Sequence, residues 1–596
     1  MPMRNIYLGK VHAIVALGAC LAHPQLVRGQ EILRAWIAAE NSAATVYLSG
    51  RVWLRLIGPG SRQEARELVE RLETAALSGP GASDVSVRSE SPAAAEILVK
   101  DARILTVTAD TARPHRSMPR TLAEKWADTL RGALERPYVW VVPGERLDVP
   151  LGESRDVRLA GPGAGKTEAS VESEKVAVVE RRATQRIAVA GVGRGDTVLR
   201  LRTPSDEDFI ALRVRPLAAI IPERAEVVLT ASPSENEWRR WSEYALHCAV
   251  KAVAGARVGI SNIPQWPGGR VNISATGPDA FPVSRTLTLS ASFKQAASIA
   301  PPDHVLVSND PEKVVASRVL MRDNLSTGES VRVLWHHVNA SPRPLWFGLR
   351  LYNLGPTPAE VFLSDSVAGP VTDELYAGHV ACREYLLALR RGAGVVLQMT
   401  PRCRVEVAAR RARRGAIVSG MASIALLSGS RVVVELAAHS DEPSTGSLAL
   451  TRDDHLTKLT PFRFEGQITQ QYEYSPPAPW LFIPLGKIPR RNHHGRLLHG
   501  NYGVLYRIDL TLRNPGAEPA ELQLAMRPSG GAARAVLLVD DSLVETGVLL
   551  PGSEQVLASW NMPAAGEQRV RLSAIPQAGS NYPVHLIIRP APARSR

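Results

Sequence analysis

The sequence predicts a mainly β chain: tandem β-sandwich (Ig-like) domains preceded by a small N-terminal α/β domain. Three observations carry this. Aromatic residues make up 5% of the chain, while 45 Gly and 44 Pro are spread through it without a collagen-like period, which suits many short strands joined by turns. Most apolar runs alternate with period two, the spacing that puts side chains on one face of a strand. Finally, one phrase is written twice: LRLYNLGPTPAEVFL from Leu349 and LTLRNPGAEPAELQL from Leu510, identical at eight of fifteen positions.

In each copy, alternating apolar residues flank a turn signal. Leu349, Leu351, Val361 and Leu363 do so in the first, and Leu510, Leu512, Leu522 and Leu524 in the second. Asn514-Pro515-Gly516 suits a type II turn, in which Gly accepts the positive φ; Asn353-Leu354-Gly355-Pro356 keeps the Gly and moves the Pro. Each copy therefore reads as a strand, a tight connection and a second strand, a hairpin with one apolar face. Val333-Leu334-Trp335 and Val504-Leu505-Tyr506 stand upstream of the two copies. Two β-sandwich lobes of common descent account for this, and convergence on a common hairpin is the alternative.

At 596 residues the chain exceeds what one core supports. Residues 1–29 have Arg4 and Lys10 followed by a short apolar run, the pattern of a secretory signal peptide and too short for a membrane span. Two processing sites compete: cleavage after Gly29, or lipidation at Cys20, where Leu17-Gly18-Ala19-Cys20 resembles a bacterial lipobox. Residues 30–136 alternate strand-like runs with two helical periods, one through Ala65, Leu68 and Leu72 and one through Leu122, Trp126 and Leu130, so a small sheet carrying two helices is expected. Residues 137–217 are short strands between turns, an Ig-like sandwich. Residues 218–330 combine strands with one helix capped by Ser232 or Ser234, an α+β or sandwich domain. Lobes over 331–460 and 461–596 complete the chain.

Within residues 137–217, the phrases VPLGES, EKVAVVE and VGRGDTVLRLR resemble a bacterial Ig-like module, and more narrowly the N-terminal module of pilus-assembly and secretin proteins. Over residues 300–590, HVLVSNDPEKV, VRVLWHHVN and HGNYGVLYRIDLTLRNPGAEPAELQL are similar to a cyanobacterial family of exported proteins of unknown function. These resemblances imply secretion and a β-rich fold, and they supply no catalytic residues.

The formal charge of +13 comes from sixty-one Arg and ten Lys scattered along the chain. The densest cluster, Arg410, Arg411, Arg413 and Arg414, has no interleaved aromatic residue on which a base could stack, so nucleic acid is not the expected partner. An acidic polymer or lipid surface fits better. Beyond Cys20 there are three thiols; Cys382 and Cys403 bracket two apolar runs around a Gly turn, where a disulfide can form, and buried free thiols are the alternative.

Chemistry is harder to find. Gly161 to Thr167 imitates a phosphate-binding loop, but its spacer is one residue short and EASVESEKVAVVE continues as a strand. Neighbouring His336-His337 point to opposite faces of a strand and should divide between core and surface. Asp453-Asp454 and Asp540-Asp541 are sequence neighbours in turns, unlike the opposed carboxylates of a glycosidase. No catalytic, cofactor or metal-ligating set is expected. The one candidate binding loop holds Arg490, Arg491, Asn492, His493, His494, His499 and Tyr502. The chain therefore reads as a non-catalytic exported protein, periplasmic or at the cell surface or beyond. It would act as scaffold, adhesin or binder of an envelope protein or an acidic polysaccharide. Two alternatives stand: a carbohydrate-active hydrolase with carboxylates from distant loops, and a carbohydrate-binding array using Trp346, Trp480 or Tyr502. Oligomeric state is left open.

Overall fold

The computed structural model describes residues 35–592 apart from 41, 49–50, 77, 136–139, 143–145, 161–162, 205–206, 296–300, 311, 442–445 and 448–462. The signal peptide, Cys20, Asp453, Asp454 and His455 lie outside the described residues. The chain divides into two compact units, Met1–Pro216 and Leu217–Arg596. Among the described residues, no helix is long and apolar enough to cross a membrane.

The first unit opens with two similar halves. Strands Trp36–Glu40, Ala43–Leu48 and Arg51–Ile57 form an antiparallel meander followed by helix α1 (Ser61–Ala76). Strands Val85–Ser91, Ala94–Val99 and Ala102–Thr108 form a second meander, followed by α2 (Pro119–Leu134). The α/β expectation holds, with two three-stranded sheets where one was expected. Ala65, Leu68 and Leu72 of α1 and Leu122, Trp126 and Leu130 of α2 enter one shared core, because the apolar positions of each helix recur every three or four residues. The indole of Trp53 donates to the Trp126 carbonyl at 2.9 Å across the two halves. A register shift after Val46 turns Val52 outward, although it shares the alternation of its buried neighbours Leu54 and Leu56.

The Ig-like sandwich follows. Strands Glu168–Val171, Gly195–Arg202, Glu207–Arg215 and Arg146–Pro150 make one sheet; Ala177–Ala183, Arg186–Gly191, Ser154–Ala160 and Trp140–Val142 make the other. Alternate residues such as Val157, Val189, Leu199 and Leu212 fill the space between. After a single 3-10 turn at Ala164–Lys166, Thr167 is extended and leads into a strand, not into the helix a phosphate-binding loop needs.

The second unit holds two sandwiches. In the first, an eleven-stranded sheet faces a five-stranded one. The long sheet includes Arg224–Leu229, Val395–Met399, Ala359–Val371, Ile417–Ser428 and Ser330–Asn339; the short one includes Arg318–Leu325, Val432–His439, Leu345–Asn353 and Cys403–Ala412. Strand pairing runs across residue 330: Arg318–Leu325 pairs with Val432–His439, and Arg224–Leu229 joins the long sheet through Val228↔Val396. Helix α3 (Glu235–Ala249) is capped by Ser234, which accepts from Glu237 N while Glu237 returns a bond to Ser234 N, and it buries Trp238 and Trp241 against this core. In the second sandwich, Leu505–Arg513, Glu567–Ala574 and Gln467–Tyr474 face Ala520–Pro528, Gln555–Met562 and Val584–Pro590.

The two copies of the repeated phrase do the same thing, though they are not hairpins. Leu345–Asn353 and Ala359–Val371 lie in different sheets, as do Leu505–Arg513 and Ala520–Pro528. Each phrase is an arch that carries the chain from one layer of a sandwich to the other. Leu349, Leu351, Leu363, Leu510, Leu512 and Leu524 are all buried in the cores so formed. At the corner, the Asn353 carbonyl oxygen Oδ1 accepts from Gly355 N (2.9 Å), while Nδ2 donates to the carbonyls of Thr357 (2.9 Å), Met399 (3.0 Å) and Thr400 (3.2 Å). Asn514 repeats the pattern, accepting from Gly516 N (3.1 Å) and donating to Glu518 (2.8 Å), Met562 (3.4 Å) and Pro563 (2.9 Å). The equivalence extends to the register: Ala359 pairs with Met399, and Ala520 with Met562.

A third clamp has the same form without the repeated phrase. Asn339 Oδ1 accepts from Ser341 N, and its Nδ2 donates to the carbonyls of Arg343 and Ala412. The expected positive φ at Gly516 is absent, and Gly355 likewise lacks it. Their role is space: a Cβ at either would lie 3.2 Å from the clamping Oδ1. The upstream Val-Leu-aromatic phrases are not equivalent, since the first sits on the strand before the arch and the second begins the arch's own strand.

Helix α4 (Glu374–Arg391) lies between the long sheet and the second sandwich, in a core that includes Leu334, Tyr385, Leu386, Val504 and Leu538. Its fit is close: a Cβ on Gly378 would stand 1.7 Å from the Ala578 carbonyl. Arg332, buried beneath the helix, donates to Tyr385 Oη (2.9 Å) and to the carbonyls of Gly466 (2.9 Å) and Gly503 (3.1 Å). It thereby ties the sheet, the helix and the first strands of the second sandwich together. This helix also corrects the disulfide expectation. The segment after Cys382 is helix, not hairpin, so Cys382 lies in the core beneath α4 while Cys403 lies in the sandwich core near Cys248, and all three are free thiols. Burial pushes the Cys382 thiol up to about 12.

Replacing Asn353 or Asn514 by Leu removes up to four hydrogen bonds and strands buried carbonyls, so each should cost about 2–5 kcal/mol. The exposed Asn236→Leu should stay within about 0.5 kcal/mol of the parent. Denaturant unfolding of the full chain measures both. Gly378→Val should likewise lower the stability of the second unit by about 2–4 kcal/mol through overpacking against Ala578.

Candidate functional site

The candidate loop is a built hairpin. Arg490–Arg491 pairs with Leu497–Leu498, and the buried Asn492 holds the turn by accepting from His494 N (3.0 Å) and Arg496 N (2.9 Å). Asn501, missed by the sequence reading, anchors the base: it accepts from Arg490 N (2.8 Å) and donates to Ile488 O (2.8 Å) and Tyr506 Oη (2.7 Å). Tyr502 is half-buried and donates to Ser580 O at 2.9 Å. Asn492 and Tyr502 are thus supports, while Arg491, His493, His494, Arg496 and His499 are exposed. Arg490 pairs with Glu465 (3.2 Å) and Arg496 with Asp310 (3.1 Å).

Carboxylates from distant segments do gather, in a cleft of about 670 Å³ beside α3 lined by Glu243, Glu384, Asp365 and Glu406 among others. Two of them are held by neighbouring side chains, although Glu406 Oε2 has only an ion pair with Arg350 at 3.5 Å. Asp365 accepts from Trp241 Nε1 (2.9 Å), Tyr244 Oη (3.1 Å) and Arg240 Nε (3.2 Å), with no exposed side-chain surface. Glu406 meets His439 and ends a row in strand register, Arg322–Glu435–Arg350–Glu406, whose charges alternate across four strands. Tyr352 Oη also donates to Glu435 at 2.9 Å. These buried acids are offset by partly buried arginines, as a low-dielectric setting demands. Burial raises the Glu243 pKa and lowers that of His247, its neighbour one turn along α3, to about 4. Asp540-Asp541 is the expected turn, with both φ values positive.

The three aromatic candidates for a carbohydrate platform lie apart. Trp346 lines the cleft beside α3, Tyr502 supports the hairpin, and Trp480 stands on the second sandwich. Trp480 is 45% exposed, with Phe482 nearby at a ring separation of 6.5 Å, the Arg589 guanidinium 4.7 Å from its ring and Arg527 over Phe482.

Both members of the His336-His337 pair are buried, because helix α4 covers the face expected to meet solvent. His337 enters the sandwich core, stacked on Phe347 and bonded to Ser308 Oγ at 3.1 Å. His336, on the face shared with Arg332 and Leu334, has neither ring nitrogen hydrogen-bonded. Burial lowers its pKa to about 4, so it is neutral at physiological pH. Its ligating atom and carboxylate oxygens of Glu312 and Glu374 lie within 4.8 Å of one another. No spacing signal reveals this trio, since it unites a loop, a strand and a helix terminus.

A family model described as a domain of unknown function (DUF8459) matches residues 45–137, most of the two strand-rich halves with α1 and α2. No curated protein matches the chain. Among solved structures, it is similar to the S-layer protein SbsC domains 4 and 5 (17% identity, 13% of this chain and 50% of that one, TM-score 0.12). Others are SbsC domains 5-6 (11%, covering 26% and 100%, TM-score 0.12) and the titin Ig tandem A164-A165 (8%, covering 26% and 97%, TM-score 0.12). The chain spans half the length of the first of these. Scores this low carry no argument, and the fold assignment rests on the strand pairing described above.

The His247 pKa sets a sign for acid stability. With a folded value of about 4 against 6.5 unfolded, the unfolded state binds the proton first, so stability should fall as pH drops from about 6.5 toward 4. The loss approaches roughly 3 kcal/mol for this group. Denaturant midpoints at pH 7 and pH 4.5 should show a smaller difference in His247→Leu than in the parent.

Proposed function

We propose that this chain is a non-catalytic, exported binding protein of the cell envelope, and that its second sandwich holds an anionic polymer through the Arg490–His499 hairpin. The observation that carries the reading is the division of labour in that loop: Asn492 and Asn501 fix the backbone, so Arg491, His493, His494 and Arg496 stand in solvent on a preorganised base. Preorganised cations lose little entropy on capture of a flexible anionic chain, and the overall charge of +13 favours its approach. A non-catalytic role is supported by Asp365, whose carboxylate accepts from Arg240, Trp241 and Tyr244, and by Glu406, which meets His439.

A second reading, capture of a neutral glycan by stacking, is favoured by the exposed Trp480 and Phe482. Affinity electrophoresis of the full chain through gels containing an anionic or a neutral polysaccharide separates the two. On the first reading, retardation is greatest in the anionic gel, fades with salt, and weakens about tenfold or more in Arg491→Glu/Arg496→Glu. Retardation in the neutral gel that disappears in Trp480→Ala/Phe482→Ala would replace it with the second. Mobility unaffected in both gels would remove both.

A further inference from the structure

We propose that Glu312, His336 and Glu374 form a binding site for one divalent transition-metal cation of the Zn²⁺ or Co²⁺ class. The three donor atoms lie within 4.8 Å of one another, close enough that small side-chain rotations bring them to the 2.0–2.2 Å typical of such ligands. Each is delivered by a fixed piece of backbone. Glu312 precedes the short strand Lys313–Val314, and its carbonyl accepts from Val338 N at 2.8 Å, which holds its loop against the strand bearing His336. Glu374 is the first residue of α4, whose start is fixed by Asp373 accepting from Tyr376 N at 3.0 Å.

The second, independent observation is His336 itself. It is 5% exposed, and both ring nitrogens lack a hydrogen-bond partner. Buried polar groups are almost always paired, and a neutral imidazole with a free nitrogen facing two carboxylates is a ligand set in search of a cation. One imidazole beside two carboxylates selects borderline transition metals over Mg²⁺ or Ca²⁺, which take oxygen donors. Glu312 and Glu374 are exposed, so the site opens to solvent and leaves coordination positions for water. A bound cation would pin the N-terminus of α4 to the loop carrying Asp310, the partner of Arg496 in the basic hairpin. This inference is independent of the polymer-binding reading, because neither glutamate nor His336 belongs to the hairpin.

The test uses the full chain, dialysed against chelator, in a His493→Asn/His494→Asn background that removes the exposed histidine pair as a competing ligand. Titration with Co²⁺ followed by visible absorbance, and with Zn²⁺ by calorimetry, should give one equivalent bound. Glu312→Gln and Glu374→Gln, both at exposed positions, should each weaken binding tenfold or more. His336→Leu should abolish binding while keeping the far-ultraviolet spectrum and the melting temperature of the metal-free parent, since it removes an unpartnered buried group. Absence of saturable binding in the parent background would overturn the proposal. So would binding of parental strength in His336→Leu, or in both glutamine variants.

Discussion

A buried asparagine amide at the point where the chain changes layer is the constraint on which both sandwiches of the second unit depend. A crossover breaks the strand ladder and leaves carbonyls facing inward, each costing about 1–3 kcal/mol if left unpaired. Asn353 and Asn514 solve this with one side chain apiece. The carbonyl end closes the corner on the Gly two residues on, and the amide end reaches the entry of the adjacent crossover, at Met399 and Met562. Two neighbouring arches are thereby locked to each other, and the offset between the layers is set. Asn339 locks a further pair of arches, through Ala412.

Once the layers are fixed, the faces of the long sheet acquire different tasks. One face, with Val331, Val333 and Trp335, belongs to the sandwich core; the other, with Arg332 and Leu334, receives helix α4. A guanidinium beneath a helix is acceptable because Tyr385, Gly466 and Gly503 satisfy its donors. The same logic explains the alternating row from Arg322 to Glu406, in which each interior charge has an opposite charge on both sides. His336 departs from this pattern, being buried with neither ring nitrogen hydrogen-bonded. A buried imidazole with no hydrogen bond, facing the carboxylates of Glu312 and Glu374, marks the place to look for a ligand.

Much of the architecture was legible in the sequence because period-two alternation and helical spacing report burial directly. The strand character of Leu351 and Leu512, a helix cap at one of Ser232 and Ser234, and the Ig-like module all follow from local pattern. The arch was not legible, because a hairpin and a crossover share the same strand, turn and strand pattern; what separates them is the remote partner of the asparagine. The identity of Asn353 and Asn514 in the repeat was the available signal. His336 and the Cys382–Cys403 segment were misread for one reason: α4 covers a sheet face that alternation alone leaves open, and its own apolar run resembles a strand. The hairpin residues were found by composition, but composition does not separate the supports Asn492 and Tyr502 from the displayed Arg491 and His493.

The clamps make the corner amides as secure as those of the core strands, even though they lie in connections. Residue-resolved hydrogen exchange of the native full chain reads this directly at Ser341, Gly355 and Gly516, whose N–H groups donate to the clamping asparagines. Protection matching that of the central strand amides, such as Leu351 and Leu524, is the predicted result. Exchange at these three amides as fast as at exposed turns would show that the asparagines do not hold the layers together.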